Sequence, residues 1–532
     1  MPTLDFVAKW AFPETGRGAG DFAPRFHGDS VSQGDGPATD VTNEAYPRRV
    51  TDSGVRRISR WVMFASLGIA LLASLAFSYL HVFSRPLGVV EGLLVFEASR
   101  LREGLTLYVD PLVGARDYGP VPARYYVLYP PFFSWILAQV PAAVAGAVGR
   151  ALVSTVWLGL LAWLVSRARP ANRRVAFTAG LYLGGVCLLA RGMTTLRPDA
   201  IALMFAGIAL ERSVRRNEVD GICGALFALA AWFKPNVLSI GAGVVAYALL
   251  VQRVNAWRVI AGGLLASIGC AAWVEHMSHG AWLDHLVRST AQALSLSRWL
   301  EQFFSRLLFL GLPHAFVGWC AWRARRTPGI AIAFVALVTS LAWTSFSMAK
   351  SGSAVNYWGE PSVAMLVVLA HAPLPDPSRI ARVALSLAGA VFAIVSAVAS
   401  VLLAKETLAR DDAGVRAIAR ARSLCKTSTT DVVIAGDPGV EMMLNGRVVA
   451  TPFQTSYLVR HGKFPLALWK EDIERPEVSC LVLPNDILEH RPPTDPEEMV
   501  ETTCYGIELH DSLNRLFYLA SRDDGMWIYR RR

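Results

Sequence analysis

Charged residues make up only 18% of this 532-residue chain, while hydrophobic residues make up 53%. Soluble globular proteins usually carry about 25% charged residues. The apolar residues fall into blocks separated by short arginine-rich connectors. A single large soluble core does not need such regular interruptions. The shortage of charge therefore indicates a chain that crosses a membrane many times.

Two further absences narrow the classes of function. The net charge is +10, yet the arginines form no long basic run with interleaved aromatics, which argues against a nucleic-acid-binding surface. The seven cysteines include no CxxC pair, so neither a zinc ribbon nor a thioredoxin-like motif is present. The three cysteines of the terminal stretch could supply one disulfide outside the cytoplasm, and the sequence leaves the pairing among Cys425, Cys480 and Cys504 open.

The chain shows no cleavable signal peptide, because its first hydrophobic stretch begins only at residue 61 and is long enough to span a bilayer. Residues 1–58 are rich in Gly, Pro, Asp and Ser, and we expect a disordered cytoplasmic tail there. Residues 61–82 are predicted to be a signal anchor. Arginines just before them place the N-terminus in the cytoplasm by the positive-inside rule.

The later connectors predict an α-helical polytopic membrane protein with about eleven transmembrane helices in residues 59–404. The connectors predicted to face inward carry Arg167, Arg169, Arg173, Arg174, Arg212, Arg215, Arg216, Arg253, Arg258, Arg323, Arg325, Arg326, Arg379 and Arg382. An odd number of spans places residues 405–532 on the outer side. Four strand-like runs there, at 432–435, 478–483, 516–520 and 526–529, and a helical pattern at 411–424 predict a small α/β domain.

Several ionisable residues fall where the membrane segments meet the outer side. Glu91 lies in the first outer loop, 84–129, close to the end of the first helix. A carboxylate at the rim of an apolar bundle can take a proton from a hydroxyl group, and burial can tune its pKa for that task. The alternative is that Glu91 only caps the following helix. Glu97 and Asp117 of the same loop are weaker candidates.

Two short-helix junctions on the outer side carry the next candidates, Arg197 with Asp199, and Lys234. Charged groups at membrane depth are tolerated where protein or water surrounds them, so these residues are predicted to line a polar cavity. Arg197 offers a planar fork to a phosphate. The alternatives are an Arg–Asp pair that fixes a turn and a lysine that extends to the interface. A fourth candidate group opens a later helix, and its members are Asn356, Tyr357 and Glu360.

The ordered set of these motifs resembles the bacterial GT-C superfamily of integral-membrane glycosyltransferases, which includes protein mannosyltransferase-like and aminoarabinose transferase-like enzymes. The resemblance covers roughly residues 60–490. The motifs that carry it are EG at 91–92, EGLTLYVDP at 103–111, YPPFF at 129–133, RPDA at 197–200, FKPN at 233–236 and GSAVNYWGE at 352–360.

The resemblance implies a sugar donor carried on polyprenyl phosphate, transferred with inversion to an envelope glycan, lipid or protein at the outer face of the bacterial cytoplasmic membrane. Glu91 would be the catalytic base, and Arg197 and Lys234 would hold the donor phosphate. The substrate pocket would include Asp199, Tyr129, Asn356, Tyr357 and Glu360. The outward side of the candidates agrees with a lipid-linked donor, since nucleotide sugars are cytoplasmic and the chain has no convincing DxD motif.

One departure from the family pattern affects the metal question. Many relatives carry an acidic pair at the first-loop site, whereas Val89 and Val90 precede Glu91 here. No metal ligand set is assigned, and a divalent cofactor is left open. Two other functions also stay open, a transporter or lipid flippase and a non-catalytic envelope-assembly protein. Neither the sugar nor the acceptor nor the oligomeric state follows from the sequence.

Overall fold

The computed structural model describes residues 49–84, 87–117, 119–189, 193–290, 294–306, 310–350, 355–373, 379–484, 504–523 and 526–532. Residues 1–48 of the predicted tail lie outside this range. The remaining tail residues, 49–58, belong to the first helix.

Helices dominate the chain up to residue 425. They are α1 (Arg49–Val82), α2 (Val89–Arg102), α3 (Phe132–Ala138), α4 (Ala145–Ser166), α5 (Arg173–Leu189), α6 (Asp199–Arg216), α7 (Gly221–Phe233), α8 (Ser239–Val251), α9 (Arg253–Ser278), α10 (Ala281–Thr290), α11 (Leu296–Arg306), α12 (Leu312–Arg323), α13 (Ile330–Met348), α14 (Gly359–His371) and α15 (Arg379–Cys425).

Five stretches of the described residues are long and apolar enough to cross a membrane. They are Trp61–Val82, Ala142–Ser166, Arg253–Ser278, Ile330–Met348 and Ala390–Cys425. The predicted polytopic helical class is confirmed, but the predicted count of about eleven spans is not. Helices α7 and α8 are apolar but only 13 residues each, about 20 Å at 1.5 Å per residue, and so they are shorter than the hydrocarbon core of a bilayer.

The arginine-rich connectors meet at one end of the helical bundle. The backbone N–H of Arg169 donates to the carbonyl oxygen of Ala370 over 3.0 Å, and the side-chain oxygen of Asn217 accepts from Gly329 N over 2.7 Å. These contacts join connectors that are far apart in sequence. The predicted common side of the arginines therefore corresponds to a common end of the bundle.

Helix α6 shows where the opposite end lies. It begins at Asp199 and ends at Arg216 after 18 residues, which is about 27 Å of helix. Helix α7 returns from the arginine end and finishes at Phe233, directly before Lys234. Two of the predicted site segments are therefore brought together at the end away from the arginines.

Close backbone contact fixes α7 against α9. A Cβ added at Gly224 would lie 1.9 Å from the carbonyl oxygen of Val259, and one at Gly262 would lie 2.0 Å from that of Gly221. Only glycine fits at such distances. The position of Lys234 at the end of α7 thus depends on a close helix contact at Gly224, about three turns away along the helix.

The terminal stretch forms the predicted α/β unit. Its strands β1 (Val432–Ala435), β2 (Val478–Leu483), β3 (Phe517–Asp523) and β4 (Met526–Arg531) form one sheet in the order β1-β2-β4-β3. The pair β1 and β2 is parallel, and the other neighbours are antiparallel. The helices of this unit are α16 (Pro438–Asn445), α17 (Pro452–Arg460), α18 (Leu466–Glu474) and α19 (His510–Leu516).

The long helix α15 joins the membrane region to this sheet without a break. It runs from Arg379 to Cys425, so the domain boundary predicted at 404/405 lies within one helix, and the pattern seen at 411–424 is its final part. Cys425, its last residue, forms a disulfide with Cys480 of β2. Cys504 is a free thiol. The disulfide therefore ties the end of α15 to a central strand of the sheet.

The first outer loop packs into the terminal unit rather than standing apart from it. Val121 and Tyr126 of the loop belong to the same buried cluster as residues of β1 and β2. The backbone N–H of Arg124 donates to Val449 O over 2.7 Å, and its guanidinium forms a buried ion pair with Asp472. The loop and the terminal sheet thus form one body at the end of the bundle away from the arginines. We call it the outer body, after the predicted outer loop.

Candidate functional site

An ion pair between Lys234 and Asp199 lies at the centre of the candidate site. Pro198 is the N-cap of α6 and Asp199 its first residue, while Lys234 is the C-cap of α7 and precedes a proline. Proline stops each helix from extending through the junction. Asp199 is 1% exposed and Lys234 3% exposed, and the ammonium group donates to Asp199 Oδ1.

A short helical turn, Val355–Trp358, brings two further predicted residues to the pair. Asn356 Nδ2 donates to Asp199 Oδ1 over 2.7 Å. The Lys234 ammonium lies 5.7 Å from the ring centroid of Tyr357 and 5.9 Å from that of Tyr129. An ammonium group at this distance from aromatic faces is stabilised by cation–π attraction. Four predicted site residues thus surround one lysine.

Arg197 completes this group. Its charge acts on Lys234, and also on the phenols of Tyr129 and Tyr357. We refer to these residues together as the polar cluster, which consists of Arg197, Asp199, Lys234, Asn356, Tyr129 and Tyr357. Two like charges, Arg197 and Lys234, share the cluster, and this arrangement favours an anion between or beside them.

Three buried polar atoms of the polar cluster have no hydrogen-bond partner. They are Arg197 Nε, Asp199 Oδ2 and Asn356 Oδ1. Leaving such an atom unpaired costs about 1–3 kcal/mol, so most buried polar groups find a partner. One unpaired atom is a donor and two are acceptors. A ligand that fits must therefore present both acceptor and donor groups.

Glu360, the other predicted pocket residue, has backbone partners. Its Oε1 accepts from Ser239 N over 2.9 Å and from Ile240 N over 3.2 Å, at the start of α8. A carboxylate is stabilised at a helix N-terminus, where N–H groups are free. Its charge also acts on Lys234. Glu360 thus lies beside the polar cluster and fixes α8 against α14.

Glu91, the predicted base, lies in a separate network. Its Oε1 accepts from Arg150 Nε over 2.8 Å and from Leu196 N over 2.9 Å. Its Oε2 accepts from Arg150 Nη2 over 2.5 Å and from Gly88 N over 2.9 Å. Burial by itself raises the pKa of Glu91, but Arg150 and the two backbone donors outweigh it and lower the pKa to about 2.

The other two loop carboxylates differ from each other. Asp117 forms an ion pair with Arg100. Glu97 is fully buried in α2, where its Oε2 accepts from Ser134 Oγ over 2.5 Å and its Oε1 has no partner. Burial raises the pKa of Glu97 to about 8, although the Ser134 hydrogen bond opposes this shift.

Sequence reasoning missed Arg150 and Asn236. Arg150 is 1% exposed on the otherwise apolar α4, and a lone arginine inside an apolar run is itself a signal of a buried partner. Asn236 Nδ2 donates to the hydroxyl of Tyr357 over 3.1 Å. It lies two residues after Lys234 within the FKPN motif, so its position could have been inferred from that motif.

Within the described residues, no group of three or more His, Cys, Asp or Glu side chains is placed to hold a metal ion. The polar cluster itself offers one carboxylate, Asp199, and Lys234 already pairs with it. The donor set present suits an anion with hydroxyl groups better than a divalent cation.

The fold is shared with a solved membrane protein. ArnT from Cupriavidus metallidurans bound to undecaprenyl phosphate superposes with a TM-score of 0.51 at 14% identity, over 88% of this chain and 97% of that one. Its apo state gives a TM-score of 0.52 at 14% identity, over 86% and 96% of the two chains. This chain has the fold of ArnT. The predicted resemblance to the GT-C glycosyltransferases is thereby confirmed for the fold.

The other comparisons give no further information about the fold. The arabinosyltransferase EmbB from Mycobacterium smegmatis overlaps with a TM-score of only 0.38 at 16% identity, over 65% of this chain and 40% of that one. An overlap this low has no bearing on the fold. No protein-family model and no curated protein matches the chain.

Proposed function

We propose that this protein transfers a sugar from a polyprenyl-phosphate donor to an envelope acceptor at the outer face of the bacterial cytoplasmic membrane. The observation that carries the proposal is the set of unpartnered buried atoms in the polar cluster, which combines one cationic donor, Arg197 Nε, with a neutral and an anionic acceptor. ArnT, which has the same fold, was solved with undecaprenyl phosphate. A lipid-linked sugar phosphate presents the matching groups.

The donor phosphate would bind between Arg197 and Lys234. A phosphodiester is an anion, and these cations already lie close enough to act on each other. Arg197 keeps a free Nε–H for it. Bound phosphate would relieve the repulsion between the two cations, and the charge that grows on the leaving phosphate would strengthen the same contacts.

The sugar would bind at the acceptor atoms of the polar cluster. Asp199 Oδ2 and Asn356 Oδ1 both lack a donor, and sugar hydroxyl groups are donors. The ring faces of Tyr129 and Tyr357 flank the same space around the lysine. Sugar and phosphate would thus be held on adjacent sides of Lys234.

In the transfer step, the acceptor oxygen forms a bond to the anomeric carbon as the bond from that carbon to the phosphate oxygen breaks. The bonding electrons leave with polyprenyl phosphate, and the acceptor hydroxyl loses its proton. Attack from the face opposite the phosphate inverts the anomeric configuration. Arg197 and Lys234 would lower the barrier by stabilising the negative charge on the leaving group.

The proton acceptor is a separate question. The sequence predicts Glu91, and that assignment stays a prediction. A carboxylate with a pKa of about 2 is a weak base near neutral pH. Glu97 lies on the same helix, and its Oε1 has no hydrogen-bond partner. Burial raises its pKa to about 8, so it is a stronger base than Glu91 but is mostly protonated near neutral pH. Comparing Glu91→Gln with Glu97→Gln would separate the two carboxylates.

We further propose that the arginine end of the bundle faces the cytoplasm and the polar cluster faces outward. The positive-inside rule supports this orientation. The disulfide between Cys425 and Cys480 also supports it, because disulfides persist in oxidising compartments outside the cytoplasm. The site would then have access to a donor whose sugar is displayed on the outer leaflet.

The donor site can be tested by using native mass spectrometry to detect undecaprenyl phosphate bound to the purified protein. We expect the phosphate to bind and uncharged polyprenol to bind far more weakly. Arg197→Gln and Lys234→Met should each reduce phosphate binding. The matched control is Arg212→Gln, since Arg212 pairs with Asp220 at the other end of the bundle. Equal binding of phosphate and polyprenol would overturn the proposal.

Membrane vesicles that contain the protein and radiolabelled polyprenyl-phosphate sugars test the reaction. We expect label to move to acceptor material and free polyprenyl phosphate to appear in equal amount. If the labelled lipid instead crosses the bilayer with its sugar still attached, the protein is a flippase and the transferase proposal is wrong.

A further inference from the structure

We propose that Glu91 and Arg150 are positioning residues, which hold the segment 193–199 so that Arg197 and Asp199 lie in register with Lys234. The inference rests on the proposed function for its effect on catalysis. Its structural part, an anchored segment, can be measured without any substrate.

Glu91 binds the segment directly. The backbone N–H of Leu196, the residue before Arg197, donates to Glu91 Oε1 over 2.9 Å. The same oxygen accepts from Arg150 Nε over 2.8 Å. One carboxylate oxygen therefore connects α2 and α4 to the residue that precedes the predicted phosphate ligand.

Arg150 carries the connection to a third element. Its Nη1 donates to the carbonyl oxygens of His81 over 3.1 Å and Ser84 over 2.7 Å. Both carbonyls lie at or just beyond the end of α1, where carbonyl groups lack their usual helical donors. The carbonyl of His81 also accepts from Ser84 N over 3.2 Å. The pair thus joins the end of α1, the start of α2, the start of α4 and the segment 193–199.

The side chain of Leu196 is held as well as its backbone. A Cβ added at Gly149 would lie 2.0 Å from Leu196 Cδ1, so Leu196 packs against α4 one residue before Arg150. With its N–H on Glu91 and its side chain on Gly149, Leu196 has little freedom. Arg197 and Asp199 follow it at once, so their positions depend on this anchor.

The arrangement of the bonds distinguishes positioning from proton transfer. Glu91 is 4% exposed and accepts four hydrogen bonds, so neither oxygen is left for an incoming hydroxyl. A base needs a free lone pair within hydrogen-bond reach of its proton. An anchor instead needs a carboxylate whose two oxygens both accept hydrogen bonds from the protein.

Hydrogen–deuterium exchange on the full-length protein in detergent tests the anchor. We expect faster exchange in peptides that contain residues 193–199 for Glu91→Gln and for Arg150→Lys. Glu91→Gln keeps the shape but removes the negative charge, and Arg150→Lys keeps the positive charge but loses the planar fork that binds both oxygens of Glu91. The matched control is Arg124→Gln, which breaks the buried pair with Asp472 in the outer body. That control should leave exchange in 193–199 unchanged. Unchanged exchange in both test variants would overturn the anchor.

Binding measurements with undecaprenyl phosphate, and kinetics with a labelled polyprenyl-phosphate sugar, test how the anchor affects donor binding and turnover. We expect Glu91→Gln and Arg150→Lys each to weaken undecaprenyl phosphate binding about tenfold or more, the scale of one charge-assisted hydrogen bond. The double variant should be little worse than either single one, since both act on one unit. The pH dependence of kcat should keep its shape.

A different set of results would identify Glu91 as the base. In that case Glu91→Gln would remove turnover with undecaprenyl phosphate binding intact, Arg150→Lys would be milder, and the acidic limb of the pH profile would disappear. A wild-type protein that does not bind undecaprenyl phosphate would refute the proposed function alone, because the exchange measurement would still decide the anchor.

Discussion

Lys234 and Asp199 form a buried ion pair that joins the C-cap of α7 to the first residue of α6. Only one oxygen of the carboxylate is used, and Asn356 shares it. The pair therefore fixes the two short-helix junctions against each other while Asp199 Oδ2 stays unpartnered. This is the geometry of a site that is organised before its ligand arrives.

Breaking this pair from one side should destabilise the protein. Lys234→Met leaves a buried carboxylate without its counter-charge, which typically costs 3–5 kcal/mol, about the range found when one partner of a buried pair is removed. The double variant Lys234→Met with Asp199→Leu should recover part of the loss. Thermal unfolding in detergent measures both. A loss in the double variant equal to the sum of the losses in Lys234→Met and in Asp199→Leu alone would show that the two residues are not coupled.

Arg197→Gln should behave differently from Lys234→Met. Arg197 Nε is buried and has no hydrogen-bond partner, so losing this N–H group breaks no hydrogen bond within the protein. We expect a melting temperature within about 1 °C of the wild type, corresponding to about 1 kcal/mol for a chain of this length, together with weaker binding of undecaprenyl phosphate. A large fall in melting temperature would mean that Arg197 is a structural residue and not a phosphate ligand.

The sequence predicted which residues would meet but not how they would pair. The arginine connectors and short helices placed Arg197, Asp199 and Lys234 on one side, and the structure groups them. The Glu91–Arg150 pair was not foreseen, since its partners are 59 residues apart and no local pattern connects them. A carboxylate's basicity depends on such long-range donors, so the role of Glu91 could not be read from its position in the loop.

Long-range contacts also limited what could be predicted about the domains. The strands at 432–435 and 478–483 were predicted with their observed bounds, because short apolar runs are local signals. No local pattern indicated that the first outer loop packs into the terminal sheet. Contacts such as Arg124 with Asp472 arise only when residues 348 apart in the chain come together.

Gly92→Ala should separate this outer body from the helix that carries Glu91. A Cβ at Gly92 would lie 2.3 Å from Gly439 Cα, and backbone atoms cannot move aside as a side chain can. We expect a loss of about 1–3 kcal/mol, the usual range for overpacking. Gly159→Ala in α4 is the control, because nothing lies within 4 Å of its added Cβ. Limited proteolysis of the terminal unit and thermal unfolding would report the difference.

Cys425→Ser should loosen the terminal sheet from α15. The disulfide closes a segment with a sequence separation of 55, and removing a native disulfide from a small domain typically costs about 2–5 kcal/mol. We expect faster proteolysis of residues after 425, whereas Cys504→Ser, which alters a free thiol, should have little effect. Thiol labelling before and after reduction checks the pairing. Labelling of Cys480 without reduction would contradict it.

The stability that Glu91 provides should depend on pH in a defined window. Its pKa falls from the ordinary value of 4.5 to about 2 in the folded protein, where Arg150 and backbone donors outweigh the effect of burial. A carboxyl group whose pKa is lowered by folding stabilises the native state above its unfolded pKa, and this contribution is lost as the pH falls toward the folded value. The shift corresponds to about 3 kcal/mol at neutral pH.

The measurement compares unfolding of the wild type and Glu91→Gln in detergent from pH 7 to pH 3. We expect the stability gap between them to be constant above about pH 5 and to shrink steadily below about pH 4.5. Glu97→Gln is the control of opposite sign, because burial raises the pKa of Glu97 to about 8. The folded state then keeps a proton that the unfolded chain releases above about pH 4.5, so the ionisable Glu97 lowers stability as the pH rises toward 8. Glu97→Gln should therefore gain relative to the wild type over that interval. A gap for Glu91→Gln that stays constant down to pH 3 would show that its carboxylate is not held ionised by Arg150.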